Sequence, residues 1–151
     1  MTTVTLQDIE ARHAEVAKMI EQFRTHAAAA VFIAEIVIAL QPGERYAGAV
    51  LNDDGSIKHH LVLMAGRPAK KLAWQAAMNW AAEVGGQLPD RQEQALLFAN
   101  CKPHLEAAWH WSSQVHESDA SDAWNCDFSD GHQSSNHKSY EGSAVAVRRI
   151  S

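Results

Sequence analysis

Apolar residues near the start of the chain recur at alternating intervals of three and four, the spacing of a heptad helix. The positions of this seam are Leu6, Ile9, His13, Val16, Ile20 and Phe23. Thr5 with Asp8 three residues later predicts a capped helix start. Two interpretations stay open: a helix packed on its own domain, or one that oligomerises the chain. A narrow stripe suits a partner helix better than a sheet, so we expect residues 1–28 to be an oligomerisation helix.

The pattern then changes from helical to β-like. A run rich in β-branched residues over 30–40 predicts a leading strand, and a turn follows at 41–44. Two further strands are predicted over 46–51 and 57–64. The sequence Asn52-Asp53-Asp54-Gly55 between them is a hairpin turn signal.

Two helices are predicted in the middle of the chain. The first covers residues 72–84, with Trp74, Ala77 and Ala81 at helical spacing, and Gly85-Gly86 ends it. The second covers residues 91–100, with Asp90 as its N-cap.

The last third of the chain contains three strand-like runs, at 108–113, 122–131 and 143–149, joined by polar loops. Large apolar and polar residues alternate along them, which predicts aromatic side chains in the core and polar ones on the opposite face. The loop residues 134–136 are predicted to be a flexible tip. We therefore predict a ligand-binding surface of outward strand residues and loop residues: His110, Gln114, His116, Asn125, Asp127, Asp130, His132, Gln133, Asn136, His137 and Tyr140.

Composition and charge narrow the class of protein. The chain has 151 residues, 46% of them hydrophobic and 21% charged, which is typical of one globular domain. Its net charge is −5, and its basic residues are scattered apart from the pairs Lys70-Lys71 and Arg148-Arg149. We therefore expect no binding to a nucleic acid backbone. Cys101 and Cys126 are expected to be buried free thiols in preference to a disulfide.

Neither a secretion signal nor a membrane span is predicted. The first residues lack the basic and apolar regions of a signal peptide. The apolar run over 27–40 is too short to cross a bilayer and is interrupted by Glu35.

The sequence also predicts no cofactor, no metal site and no catalytic residue. His59 and His60 would face opposite sides of a strand, and no His, Asp or Glu triplet has a recognised metal-ligand spacing. Cys126 shifts Asp127 away from the arrangement of a lectin calcium site. Ser112 and Ser113 have no placed base with an orienting partner. We therefore expect a protein that is not an enzyme.

An ordered series of motifs in the second half of the chain resembles C-type-lectin-like domains of the formylglycine-generating-enzyme subtype, in the small version found in phage and prophage proteins. The motifs are Trp74-Gln75-Ala76-Ala77, Trp80-Ala81, Gly85-Gly86-Gln87-Leu88-Pro89-Asp90-Arg91-Gln92-Glu93-Gln94, Trp111-Ser112-Ser113, Ala123-Trp124, Asp127-Phe128-Ser129-Asp130-Gly131 and Ala146-Val147-Arg148-Arg149. The resemblance implies an α+β fold over 29–151, with two helices against a short twisted antiparallel sheet. The N-terminal helix and leading strand correspond to an extension, and the ligand face is implied to lie on the last strands and loops.

This resemblance implies a function. We expect a phage or prophage virion protein of the tail tip or fibre that contacts the host surface through its lectin-like face. It would be made in the host cytoplasm and assembled as a homo-oligomer, with a trimer favoured, through Leu6, Ile9, Val16, Ile20 and Phe23. The alternative is an intracellular phage protein that sequesters a small nucleotide-like ligand. The presence or absence of the chain in purified virions separates the two.

Overall fold

A computed structural model describes residues 3–28 and 33–151, the side chains of 26–28 excepted. Within these residues the protein is mixed α+β, with three α-helices and two three-stranded antiparallel sheets, which confirms the predicted fold class at this level. Residue contacts divide the chain into two compact units, Met1–Glu35 and Ile36–Ser151. No helix in the described part of the chain is both long and apolar enough to span a bilayer.

The first unit contains helix α1, Leu6–Ala28, which begins at the predicted cap. The backbone N–H of Asp8 donates to Thr5 Oγ1 at 3.2 Å, and the N–H of Thr5 donates to Asp8 Oδ2 at 2.9 Å. These reciprocal bonds satisfy donors that the helix itself cannot pair. The predicted seam is exposed along its length: Ile9 is 56%, Ile20 48% and Phe23 73% accessible.

The strand predicted over 30–40 is not formed in the part that the structure describes. Residues 33–40 belong to no helix or strand, and residues 29–32 lie outside the described residues. β-Branched residues favour a strand when they have a pairing partner and a face to bury. Ile33 and Val37 are instead exposed, which explains why propensity alone misled the prediction.

The second unit starts with the predicted turn and hairpin. The N–H of Glu44 donates to the carbonyl of Gln41 at 3.0 Å, closing the turn. Strands β1, Arg45–Leu51, and β2, Ile57–Leu63, then pair antiparallel, which confirms the predicted hairpin.

Helix α2 spans Trp74–Glu83 and ends at the predicted glycine pair. Gly85 has a φ of 85° and donates to the carbonyl of Ala82 at 3.0 Å, while Gly86 donates to that of Ala81 at 2.9 Å. This is the hydrogen-bond pattern of a Schellman C-cap, and it needs a residue that tolerates positive φ.

Helix α3 spans Arg91–Cys101 and begins at the predicted N-cap, Asp90. The N–H of Glu93 donates to Asp90 Oδ1 at 2.8 Å, and the N–H of Asp90 donates to Glu93 Oε1 at 2.9 Å. A short 3₁₀ turn over Lys102–His104 follows the helix.

Two strands of the second sheet were expected and one was not. Strands β3, Trp109–Val115, and β4, Asp122–Asp127, pair with a third strand, β5, Gln133–His137, in the order β3-β4-β5. The prediction of a flexible loop tip at 134–136 is therefore wrong. A polar edge strand carries no apolar alternation by which the sequence would reveal it.

The last predicted strand is shorter than expected and belongs to the first sheet. Strand β6 covers only Val147–Ile150, where the sequence predicted 143–149. It pairs antiparallel with β2, which gives the order β1-β2-β6.

The second sheet is covered on both faces. One core cluster joins Leu97 and Cys101 of α3 to Cys126 and Phe128 at the end of β4. A second cluster joins Trp74, Ala77 and Ala81 of α2 to Trp111 and Ala123. The polar residues His110, Ser112 and Asn125 of β3 and β4 are therefore buried with the apolar ones, whereas Gln114 near the end of β3 is exposed.

A buried carboxylate, that of Glu93, connects α3 to the first sheet. Arg149 of β6 donates to it from Nη2 at 2.7 Å and from Nε at 2.8 Å, and His59 Nε2 of β2 lies 2.9 Å from Oε2. Burial opposes ionisation of this carboxyl, but hydrogen bonds from Arg149, Asp90 and His59 outweigh it and lower the pKa of Glu93.

We predict that Glu93→Gln lowers the free energy of unfolding by about 3–5 kcal/mol near pH 7, because it leaves Arg149 with no buried carboxylate. The contribution depends on pH because the pKa of Glu93 is lower in the folded chain than its usual 4.5. The stabilisation is thus complete above that value and is lost as the pH falls through the folded pKa. Urea denaturation at neutral and acidic pH measures both effects.

The matched control is Glu83→Gln, at the exposed end of α2, which should change stability by less than about 0.5 kcal/mol. If both variants lowered the free energy of unfolding equally at pH 7, the ion pairs of Glu93 would not stabilise the fold.

Candidate functional site

An open polar cleft lies where α3 begins, beside residues of β3 and β5. Its volume is about 900 Å³. We call it the α3 cleft, and its lining residues are Asp90, Arg91, Gln92, Ala95, Gln114, Gly131, His132 and Gln133. Three of the predicted site residues, Gln114, His132 and Gln133, meet here.

Arg91 fixes the walls of the α3 cleft to each other. Its backbone N–H donates to Gln114 Oε1 at 2.7 Å, and its Nε donates to Gln133 Oε1 at 2.9 Å. Gln133 Nε2 returns a hydrogen bond to the Arg91 carbonyl at 2.7 Å. Both glutamine amides are thereby held in one orientation across the first turn of α3.

Trp124 lies next to this cleft in a stack of planar groups. The guanidinium carbon of Arg91 is 3.6 Å from the centroid of the indole, and the His116 ring is 4.9 Å away at an interplanar angle of 21°. The indole Nε1 donates to Glu117 Oε2 at 2.9 Å, and this bond lowers the pKa of Glu117. Trp124 was expected in the core but is only partly buried.

A second, more enclosed pocket has a volume of about 410 Å³. We call it the basic pocket, and its lining residues are Arg67, Pro68, Ala69, Lys70, Lys71, Glu106, His110, Ser143 and Ala144. It shares no lining residue with the α3 cleft.

The predicted outward orientation of His110 and Asn125 is wrong. Both side chains are buried, His110 at 1% and Asn125 at 3% exposure, because both faces of the second sheet are covered. The His110 ring packs 4.6 Å from that of Phe128. Burial lowers the pKa of His110, against the opposing effects of a hydrogen bond with Ala108 and the charge of Glu106. Asn125 Nδ2 has no hydrogen-bond partner among the described residues.

Asp127 and Asp130, also predicted site residues, hold the loop that leads into β5. Asp127 Oδ1 accepts hydrogen bonds from the hydroxyl and backbone N–H of Ser129, at 2.6 and 2.9 Å, and these lower the pKa of Asp127. Asp130 Oδ1 accepts from the N–H of His132 at 2.9 Å. These carboxylates therefore shape the rim of the α3 cleft at His132.

The remaining predicted residues lie on or after β5, away from the lining of either pocket. Asn136 is opposite Ala123 in the sheet. His137 Nδ1 is 2.7 Å from Ser139 Oγ, and its ring is 6.4 Å from that of Tyr140. The predicted surface is thus divided among the α3 cleft, the basic pocket, the Trp124 stack with His116, and the end of β5.

Sequence reasoning missed the cations that line both pockets. The sequence analysis used Arg91 only as the first residue of a helix and as part of a motif, and it assigned no role to Arg67. The adjacency of Lys70 and Lys71 was the one indication of a basic site. Their meeting with His110 and Ser143 depends on tertiary contacts that spacing does not reveal.

The described residues contain no cluster of three His, Cys, Asp or Glu side chains suited to a metal ion. Cys101 and Cys126 are buried free thiols. Burial raises the pKa of both, that of Cys126 to about 11, so neither is an activated nucleophile.

No protein-family model matches the chain, and no curated protein matches it either. Its function is therefore inferred from its own geometry.

We predict that Arg91→Ala lowers the free energy of unfolding by about 1–2 kcal/mol, because it removes the bond to Gln133 and the contact with Trp124. In a double-mutant cycle, the variant that combines Arg91→Ala with Trp124→Leu should lose less stability than the sum of the two single variants. That difference is the coupling energy between the two side chains. Chemical denaturation of the four proteins measures it.

Arg45→Ala is the matched control, since Arg45 is exposed and makes no side-chain hydrogen bond or ion pair with the described residues. A zero coupling energy would mean that the stack of Arg91 on Trp124 does not stabilise the cleft.

Proposed function

We propose that this chain is a non-enzymatic binding module that contacts a surface glycan through the α3 cleft. The observation that carries the proposal is the cleft itself, which is wide, open and lined mainly by polar residues, two of which, Gln114 and Gln133, are oriented by bonds to Arg91. We further propose that the module belongs to the tail tip or fibre of a phage or prophage virion.

The chemistry of the lining supports a glycan ligand. Beyond their bonds to Arg91 and to the Leu51 carbonyl, the side-chain amides of Gln92, Gln114 and Gln133 each keep at least one N–H donor and one oxygen lone pair, which is what sugar hydroxyls require. The Arg91 side chain is preorganised by its Nε bond to Gln133 and its stack on Trp124, so little side-chain entropy would be lost on binding. The open shape favours an extended chain over a small molecule enclosed on all sides.

The position of the cleft supports the lectin-like part of the proposal. Helices α2 and α3 pack against antiparallel sheets, and the cleft is walled by residues of the late strands and the loop before β5. A C-type-lectin-like domain of the formylglycine-generating-enzyme subtype is expected to bind on its last strands and loops. We therefore propose that fold for residues 29–151.

We propose that this cleft binds without catalysing a reaction. Among its lining residues, Asp90 carries the carboxylate. The Asp90 carboxylate accepts from the N–H of Glu93, so one of its oxygens is engaged in capping α3.

Helix α1 supports assembly of several binding units. Its apolar seam is exposed, and a shared seam would join copies of this chain, with a trimer favoured. A weak single-site contact gains strongly from such multivalency.

We predict that the purified chain binds a subset of glycans on an array of bacterial surface polysaccharides. Ala95→Arg places a long side chain in the α3 cleft and should weaken that binding by about tenfold or more, equivalent to about 1.4 kcal/mol. The matched control is Ala76→Arg at an exposed position of α2, which should bind as wild type.

Equal binding by the two arginine variants would contradict a glycan site in the cleft. Copies of the chain in purified virions would support the proposed location, and virions without it would refute that location.

We also predict that Ile9→Asp together with Ile20→Asp dissociates the oligomer, because two carboxylates would lie within the apolar seam. Native mass spectrometry measures the change, and circular dichroism checks that the second unit stays folded.

Ala11→Asp together with Lys18→Asp, on the opposite face of α1, should leave the native mass unchanged apart from the substitutions. If the Ile9 and Ile20 variant keeps the wild-type oligomer, the seam is not the interface.

A further inference from the structure

The basic pocket concentrates positive charge in a protein whose net charge is −5. Arg67, Lys70 and Lys71 line it against one carboxylate, that of Glu106. Neither lysine forms an ion pair or a side-chain hydrogen bond with any residue that the structure describes. Three cations at one small cavity therefore leave an uncompensated positive charge.

Arg67 is a fixed cation at this site. Its Nη1 donates to the carbonyls of Met64 and Gly66 at 2.7 and 2.8 Å, and its Nη2 donates to that of His104 at 3.1 Å. Partial desolvation of the guanidinium lowers the pKa of Arg67, but the group keeps its charge at neutral pH. Because carbonyls hold the group, its charge is positioned without being neutralised.

The buried end of the pocket offers a hydrogen-bond acceptor. His110 Nδ1 is 2.8 Å from the Ala108 carbonyl, so Nδ1 carries the proton and Nε2 carries a lone pair. Nε2 has no partner within the described residues, and His110 lines the cavity. Since burial lowers the pKa of His110, the ring stays neutral near pH 7 and Nε2 remains an acceptor.

Ser143 and Glu106 add further acceptors beside His110. Ser143 is buried, and its hydroxyl donates to Glu106 Oε2 at 3.2 Å, which leaves the Ser143 lone pairs available. The exposed side chains of Arg67, Lys70, Lys71 and Glu106 thus form the mouth of the pocket, while the acceptors of His110 and Ser143 form its buried end. A matching ligand has an anionic group at one end and hydroxyl donors at the other.

We propose that the basic pocket binds a small phosphate ester that carries free hydroxyl groups, such as a pentose phosphate. Lys70, Lys71 and Arg67 bind the phosphate, and His110 Nε2 accepts from a hydroxyl of the ligand. A cavity of about 410 Å³ is of the size that small-molecule sites have. Because the two pockets share no lining residue, this inference does not depend on glycan binding by the α3 cleft.

Isothermal titration calorimetry of the full chain with ribose 5-phosphate, inorganic phosphate and ribose tests the proposal. Ribose 5-phosphate should bind at least about tenfold more tightly than either fragment, because only it engages both ends of the pocket. Lys70→Ala together with Lys71→Ala should weaken its binding by about tenfold or more. Lys58→Ala, at an exposed position of β2, is the matched control and should bind as wild type.

A second measurement follows His110 in the unmodified protein. Ribose 5-phosphate should move the ¹⁵N resonance of His110 Nε2 as a hydroxyl donates to it, whereas inorganic phosphate should leave that resonance in place.

Three results would overturn the proposal. One is the absence of saturable ribose 5-phosphate binding, and another is unchanged binding in the double lysine variant. The third is inorganic phosphate binding as tightly as ribose 5-phosphate, which would remove the role of the hydroxyl groups.

Discussion

The buried carboxylate of Glu93 is the constraint on which the second unit depends. It pairs with Arg149 of β6 and His59 of β2, and it also accepts from the N–H of Asp90 in the capping box of α3. A buried charge is tolerated only when its hydrogen-bonding capacity is satisfied in this way. The same contacts therefore connect α3 to β2 and β6 of the first sheet and fix the start of α3 at Asp90. Arg91, which follows Asp90, is thereby placed at the α3 cleft.

The covering of the second sheet on both faces limits where a ligand could contact that sheet. Trp74 Nε1 donates to the Ser112 carbonyl at 2.9 Å from one side, and Gln94 Nε2 donates to that of His110 at 3.1 Å from the α3 side. The middle of β3 and of β4, with His110, Ser112 and Asn125, is consequently buried on both faces. The two pockets proposed to bind ligands lie at its margins, one where α3 begins and one where the segment before α2 approaches His110.

Local chemistry made much of the fold predictable. Thr5 with Asp8, Asp90 with Glu93, Gly85-Gly86 and the turn before Ser56 each form the hydrogen bonds that their residue types favour. Tertiary context was not predictable in the same way. Period-two alternation assigns two faces but cannot say that both are covered, so His110 and Asn125 were placed in solvent. Strand β5 was missed because its ladder with β4, rather than its polar sequence, makes it a strand.

The two adjacent basic pairs show why charge in a sequence does not locate a site by itself. Arg148 and Arg149 lie on β6, where successive side chains point to opposite faces, and each meets a buried carboxylate, Glu44 or Glu93. Lys70 and Lys71 lie in an irregular segment before α2 with no such partner among the described residues. Ion pairs within the fold therefore neutralise the arginine pair, and the lysine pair stays available to the ligand that we propose. A protein with a net negative charge can thus hold a cationic pocket, because topology determines which of its cations are neutralised.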